Sequence, residues 1–162
     1  MRRIRYSVAM SLDGYIAGPK GEFDWIKTDP DFDFSAVFNQ FDTIVAGAVR
    51  LSRWRQRAAL RYLARRQSSC RQPCGRKTTL TDLKASPGKD IWLFGGGKLF
   101  RSLADAGMVD TVEVSVMPIL LGDGVPLAPH LSKWINLSLV NHKVYSSGAV
   151  SLEYAVSPID PS

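Results

Sequence analysis

Three consecutive glycines, Gly95-Gly96-Gly97, follow the apolar run Ile91-Trp92-Leu93-Phe94 and precede an amphipathic stretch from about Lys98 to Ala106. A strand that turns through glycine into a helix can hold an anion. The helix N-terminus offers free N–H groups and a partial positive charge, and glycine lets a pyrophosphate come close to the backbone. A tight strand-to-helix turn would use the same residues, so the glycines alone leave both readings open. The spacing excludes two familiar phosphate loops. GxGxxG fails because Phe100 stands in the third glycine position. The Walker pattern fails because Trp92 takes its first glycine position and Leu99 its hydroxyl position.

Carboxylates supply the second candidate chemistry. Asp13 precedes Gly14 at the end of a β-prone run, where it can orient a substrate or relay a proton, or simply form an Asp-Gly turn. Asp31 and Asp33 open the next helical stretch and rival it; helix capping accounts for them equally well. Trp25 suits stacking on a flat substrate or anchoring a core. Asp123, between Gly122 and Gly124, reads as loop chemistry. A metal site is not indicated. Cys70 and Cys74 form one CxxxC without a second pair, and His130 and His142 lie far from them, so free thiols in a reducing compartment are expected.

These residues need elements to position them. Ile4–Leu12 alternates as a strand broken by Asp13-Gly14, and the GYIAGPKGEFDW stretch after it reads as loop. Asp29-Pro30-Asp31 starts a helical stretch with Phe34, Phe38 and Phe41 at helical spacing. Residues 42–47 form a short strand, and Leu80–Ser86 a short helix with Thr79 or Thr81 as N-cap. The 90–110 run reads strand, glycines, helix, with a stop at Gly107. Val109–Val116 is a strand, and PILLGDGVPLAPH is loop. Leu137–Tyr145 and Val150–Val156 form a hairpin across Ser146-Ser147-Gly148. The order predicts a single α/β domain over residues 1–157, with a mixed, mainly parallel sheet, flanking helices and a C-terminal hairpin.

The charge is unevenly placed. The net +6 rests on residues 43–81, which hold nine arginines, Lys77 and no acid; the remainder carries 11 basic and 15 acidic residues. The 162 residues suffice for a core without disulfides or metal. No apolar run reaches membrane-spanning length, and the N-terminus reads as a strand and not a signal peptide, so a soluble cytoplasmic protein is expected.

Five motifs in order resemble one family: SLDGYIAG at 11–18, Asp24-Trp25, FDTIVAG at 41–47, DIWLFGGGKLFRSLADAGMVD at 90–110 and PILLGDGVPL at 118–127. The chain resembles the dihydrofolate-reductase-like superfamily, in the branch of the reductase domain of the bifunctional riboflavin-biosynthesis deaminase/reductase. The resemblance covers residues 1–47 and 80–157. It implies a sheet of about eight strands with helices on both faces, an active-site crevice at the strand ends, and hydride transfer from NADPH to a pyrimidine- or pteridine-like ring. It also implies a homodimer. Ala46, Gly47, Phe94, Gly95, Gly96, Gly97, Lys98 and Leu99 would then hold the cofactor, with Ile16 and Ala17 at the nicotinamide. Asp13 and Asp31 would be the catalytic candidates, and Trp25 and Asp33 would meet the substrate.

The chain departs from the family after Gly47. Where a Gly-Arg-x-Thr motif is expected, Ala48 stands for the Arg and Leu51 for the Thr, and nothing between Leu51 and Leu80 supplies the expected next strand. The segment instead predicts a helix over about 49–66, with Arg53, Arg57, Arg61 and Arg65 repeating every fourth residue, a row of like charges that calls for anionic company. Three explanations compete: Arg50 or Arg53 replaces the lost Arg, the segment binds nucleic acid, or the coding sequence is out of frame here. Charge alone is weak evidence for nucleic acid.

Overall fold

The computed structural model describes residues 1–27, 29–46, 79–94 and 96–157. Eight strands and three helices run through them, in the order β1 (Ile4–Ser11), β2 (Tyr15–Ala17), α1 (Phe34–Phe38), β3 (Phe41–Val45), α2 (Leu80–Ala85), β4 (Asp90–Leu93), α3 (Gly97–Asp105), β5 (Thr111–Met117), β6 (Val125–Pro126), β7 (Leu137–Val144) and β8 (Val150–Val156). The expected helix over 49–66, Gly47, Arg50, Cys70, Cys74 and Gly95 lie outside the described residues.

Six strands form one sheet in the order β3-β4-β1-β5-β8-β7. β3, β4, β1 and β5 are parallel, and β8 and β7 continue antiparallel. The remaining two, β2 and β6, pair antiparallel in a separate ribbon. The eight strands therefore divide six and two. The ribbon corrects the reading of both stretches as loop: each strand is too short to show a period, and its partner lies more than 100 residues away.

Side chains alternate between the faces of β1 and fix what covers each. Tyr6 stacks on Phe100 of α3, with ring centroids 4.2 Å apart. Ile4, Tyr6, Ile91, Leu93, Val112 and Val114 join Phe100, Leu103 and Ala104 in one buried cluster, with Leu80 and Leu83 of α2 against it. Phe100, Leu103 and Ala104 fall at helical spacing, so one stripe of α3 enters that core. On the opposite face Trp92, in register with Arg5, packs against Phe38 of α1, centroids 5.2 Å apart.

Arg5 is buried on this second face. Its guanidinium bonds Glu113, Gln40 Oε1 (2.6 Å) and Asp90 Oδ2 (3.4 Å) and lies 4.9 Å from the centre of the Phe41 ring. Burial opposes its charge, yet the bond and charge of Glu113 outweigh that and raise its pKa. A buried cation thereby becomes a tie between β1, β4, β5 and the start of β3.

Helix α1 is shorter than its aromatic spacing predicts. Asp33, not the Asp29–Asp31 stretch, is the N-cap and accepts from the Ala36 amide (2.9 Å), while Phe41 already belongs to β3. Thr79 caps α2 with a reciprocal bond from Asp82, a capping box. Removing the largest α3 side chain tests the core assignment: Phe100→Ala should cost about 3–5 kcal/mol in urea unfolding, with the slope of the transition unchanged.

Candidate active-site crevice

Parallel pairing of β3, β4, β1 and β5 brings their C-terminal ends to one edge of the sheet. The chain leaves these ends at Ala46, Phe94, Leu12 and Pro118 respectively, and open α/β sheets bind ligands at that edge. Phe94 donates its amide to Val45 O (2.8 Å) and sets its ring edge-on to Trp92, at 4.8 Å, which fastens the β3 and β4 ends together.

The described glycines of the triplet have different surroundings. Gly96 is the N-cap of α3 and offers no side chain to its orphan amides; a Cβ placed there would meet no described atom within 4 Å. Gly97 is buried, and a Cβ there would lie 2.4 Å from Pro129 Cδ and 2.6 Å from Pro126 O. Gly97 therefore serves close packing between helix and loop, whereas no described residue closes the approach to the helix end at Gly96. The first turn has no acidic residue, and Lys98 is exposed in it. Leu99 packs its side chain toward the core, so only its backbone faces this end. Such a terminus fits a phosphate group.

Ile16 and Ala17 are buried in β2, beside the end of β1. The segment 118–126 is sewn onto β2 and the turn before it. Leu12 donates its amide to Ile119 O (2.9 Å), Leu127 donates to Gly14 O (3.0 Å), and Tyr15 pairs with Pro126. Gly124, at φ 159°, approaches the Ala17 carbonyl so closely that a Cβ would sit 2.2 Å from its oxygen.

Asp13 is the central stitch. Its carboxylate accepts from the Gly122 amide (2.7 Å), the Leu121 amide (3.0 Å) and Ser11 Oγ (2.6 Å). Ser11 is fully buried and accepts in turn from the Tyr15 amide (3.0 Å). The Ser11 bond first, then the Gly122 amide, hold the Asp13 pKa below its ordinary value. An ionised carboxylate with these donors is suited to holding a loop and poorly suited to giving a proton at neutral pH. Asp123 accepts from the Gly124 amide (2.7 Å), a local turn bond as expected.

Asp31 and Asp33 lie apart from this stitch. Asp31 sits at the β7–β8 turn: its carbonyl accepts from Lys143 Nζ (3.2 Å) and its carboxylate from Ser146 Oγ at 3.4 Å. Asp33 is occupied as the α1 cap. Trp25 is half-buried and donates its indole N–H to Glu22 O (3.2 Å). Sequence reasoning passed over Asp29. This buried carboxylate accepts from the Ser147 amide (2.9 Å) and the Asp31 amide (2.8 Å), and Ser147 foremost holds its pKa down. The Asp-Pro step was its only visible signal. Gly148 in the same turn lies against Pro118, so the hairpin abuts the loop that Asp13 holds.

Residues 74–151 match the RibD C-terminal domain family. Uncharacterized protein YyaP of Bacillus subtilis (strain 168) is 34% identical over 179 residues, which cover 94% of each chain. The chain belongs to the RibD C-terminal domain family. As the aligned length exceeds the chain's 162 residues, YyaP carries residues that this family member lacks. A putative riboflavin biosynthesis protein from Shewanella sp. PV-4 superimposes with a TM-score of 0.71 at 22% identity, over 98% of this chain and 100% of that one. A Thermotoga maritima diaminohydroxyphosphoribosylaminopyrimidine deaminase/5-amino-6-(5-phosphoribosylamino)uracil reductase gives 0.63 at 16% identity, over 96% of this chain and 57% of that one. These two similarities establish the fold.

Two outcomes test the site geometry. Gly97→Ala should lower stability by about 1–3 kcal/mol through overpacking, while Gly96→Ala costs under about 1 kcal/mol, read by thermal unfolding. In Asp13→Asn, hydrogen exchange at the Leu121 and Gly122 amides should quicken at pH 7. The wild-type bond follows the usual sign for a depressed carboxylate: it is fully present above the ordinary value of 3.8 and is lost as pH falls through the lower folded value. Wild-type protection of both amides should therefore survive down to about pH 4 and fail below it.

Proposed function

We propose that the chain is an NADPH-dependent reductase acting on a pyrimidine- or pteridine-like ring. The N-terminus of α3 at Gly96, which no described residue covers, lies on the same sheet edge as the buried Ile16 and Ala17 of β2, and this is the observation that carries this reading. NADPH, when bound, supplies the hydride. The amides of Gly96, Gly97 and Lys98, with the Lys98 ammonium, would hold its pyrophosphate, aided by Gly95, Ala46, Gly47, Phe94 and Leu99; Arg50 would meet the adenosine phosphate. Ile16 and Ala17 would keep water from the nicotinamide.

Hydride addition to C=N or C=O leaves negative charge that a nearby proton must meet. Of the two candidate carboxylates, Asp13 is committed to the loop, whereas Asp31 has among the described residues only a long bond from Ser146. We therefore assign loop positioning to Asp13 and proton handling to Asp31, with Trp25 and Asp33 toward the substrate. The proposal includes a cytoplasmic homodimer with no nucleic-acid partner.

A second reading has its own support. Ala48 and Leu51 occupy the expected Arg and Thr positions, and YyaP carries residues without counterpart here. On that reading the fold persists with a weakened cofactor grip and no turnover. Titration of NADPH against tryptophan fluorescence separates the two. The reductase reading expects saturable binding, an affinity for NADPH above that for NADH, and at least a several-fold weaker Kd in Gly96→Ala. No saturable change at millimolar NADPH would favour the remnant.

A further inference from the structure

A cavity of about 330 Å³ beside α3 is lined mainly by apolar side chains, among them Phe100, Ala104, Val109 and Leu131. The polar contacts of the sheet edge lie elsewhere, where the segment before α1 meets the turn between β7 and β8. β8 runs antiparallel to β5, with Val150 opposite Val116, so this turn stands past the C-terminal end of β5. A Cβ at Gly148 would lie 3.7 Å from Pro118 Cγ. Asp29 reaches the same turn and is 7% exposed. Its Oδ2 accepts from the Ser147 amide (2.9 Å) and, at 3.4 Å, from Ser146 Oγ, while its Oδ1 accepts from the Asp31 amide (2.8 Å). One carboxylate thus divides its two oxygens between the hairpin and its own segment. Phe32 follows, its amide donating to Asp29 O (3.0 Å) and its ring centred 5.8 Å from that of Tyr145.

We infer that Asp29 is a positioning residue: by bridging the Ser147 and Asp31 amides it fixes Asp31 at the rim of the crevice. The inference rests on the proton-handling role proposed for Asp31. The Asp31 carboxylate does little to hold itself there. Among the described residues it has the 3.4 Å bond from Ser146, and a bond of that length orients weakly. Its backbone carries the constraint, since the amide donates to Asp29 and the carbonyl accepts from Lys143 Nζ at 3.2 Å. Asp29 is unsuited to carrying the proton itself. A buried carboxylate with two amide donors is held ionised, and Ser147 foremost lowers its pKa. Ser146 links the two acids. Its Oγ lies 3.4 Å from Asp29 Oδ2 and from Asp31 Oδ2, and a hydroxyl has one proton to give. It can donate to Asp31 when that group is ionised. When Asp31 holds a proton, the same oxygen can accept a bond from it and turn its own proton toward Asp29. Both states of Asp31 are then bonded without movement of the segment. The bridge continues across the sheet edge: Gly148 lies against Pro118, and the chain runs from there to the Leu121 and Gly122 amides that Asp13 holds. Placement of this accuracy matters, because a shift of about 1 Å at a reacting group costs roughly 100-fold in rate.

Backbone amide resonances of the wild type, followed downward from about pH 7, test the bridge. Bonds to a carboxylate of depressed pKa are complete above the ordinary value of 3.8 and are lost as pH falls through the lower folded value. The Asp31 and Ser147 amides should therefore shift together along one curve with its midpoint below 3.8. Asp29→Ala removes both acceptors, and hydrogen exchange at both amides should quicken at least tenfold, while the Ala36 amide capped by Asp33 stays within twofold. NADPH oxidation is followed with dihydrofolate as the pteridine probe and 5-amino-6-(5-phosphoribosylamino)uracil as the pyrimidine probe. On the probe that turns over, kcat should fall at least tenfold in Asp29→Ala with KM within threefold, and Asp29→Asn, which keeps one acceptor, should lie between. Should Asp29→Ala fail to fold, the wild-type titration decides. Separate midpoints for the two amides, exchange within twofold of the wild type, or an unaltered kcat in an active enzyme would each overturn the positioning role. A wild type inactive on both probes, with the two amides still titrating together, removes the reductase reading and leaves the Asp29 bridge in place.

Discussion

β1 lies between two parallel neighbours, and the rest of the molecule follows from that placement. Ile4–Tyr6 register with Ile91–Leu93 on one side, and Arg5–Ser11 with Thr111–Met117 on the other. Parallel neighbours cannot be joined by tight turns, so each must be reached by a crossover, and the crossovers place α1 on one face and α2 and α3 on the other. Every parallel strand then ends at the same edge. Ser11 closes β1 inside the protein, and the loop after β5 is drawn over it by Asp13. Without β1 between β4 and β5, the glycine turn and the β2–β6 ribbon would have no common edge.

The two described glycines of the triplet have different surroundings at the start of α3. Gly97 is glycine because α3 must approach the Pro126–Pro129 loop, and a Cβ at Gly96 would meet no described atom within 4 Å. The same helix end is held by β3 through Phe94 and Val45 and by the stacked Phe100 beneath it. Among the described residues, the core around Tyr6 is built from β1, β4, β5 and α3, with α2 against it.

Much of this was legible in the residues. β1, β3, β4, α2, α3 and the β7–β8 hairpin lie within a few residues of where period, glycines and caps put them, because each is specified locally. The β2–β6 ribbon was not legible, since two or three residues have no period and Tyr15 meets Pro126 only after the chain has crossed the sheet. Phe41 was misread as helical because helical spacing in the sequence happened to continue into a strand. Gly96, Ile16 and Ala17 were singled out from motifs, and the structure puts them beside the C-terminal ends of β4 and β1. The partners of Asp13 were not, because backbone amides more than 100 residues away leave no trace in side-chain identity. Asp29 was passed over for a similar reason: its worth comes from Ser146 and Ser147 at the far end of the chain.

Whether the ends of β1 and β4 form one cofactor crevice is read most directly from backbone amide resonances of the isotope-labelled protein during addition of NADPH. The amides of Gly96, Gly97 and Lys98 should shift together with those of Ile16 and Ala17, along one saturation curve, while Ala104, Val109 and Leu131 around the apolar cavity stay in place. Shifts confined to the cavity, or none at saturating NADPH, would contradict the crevice as a cofactor site.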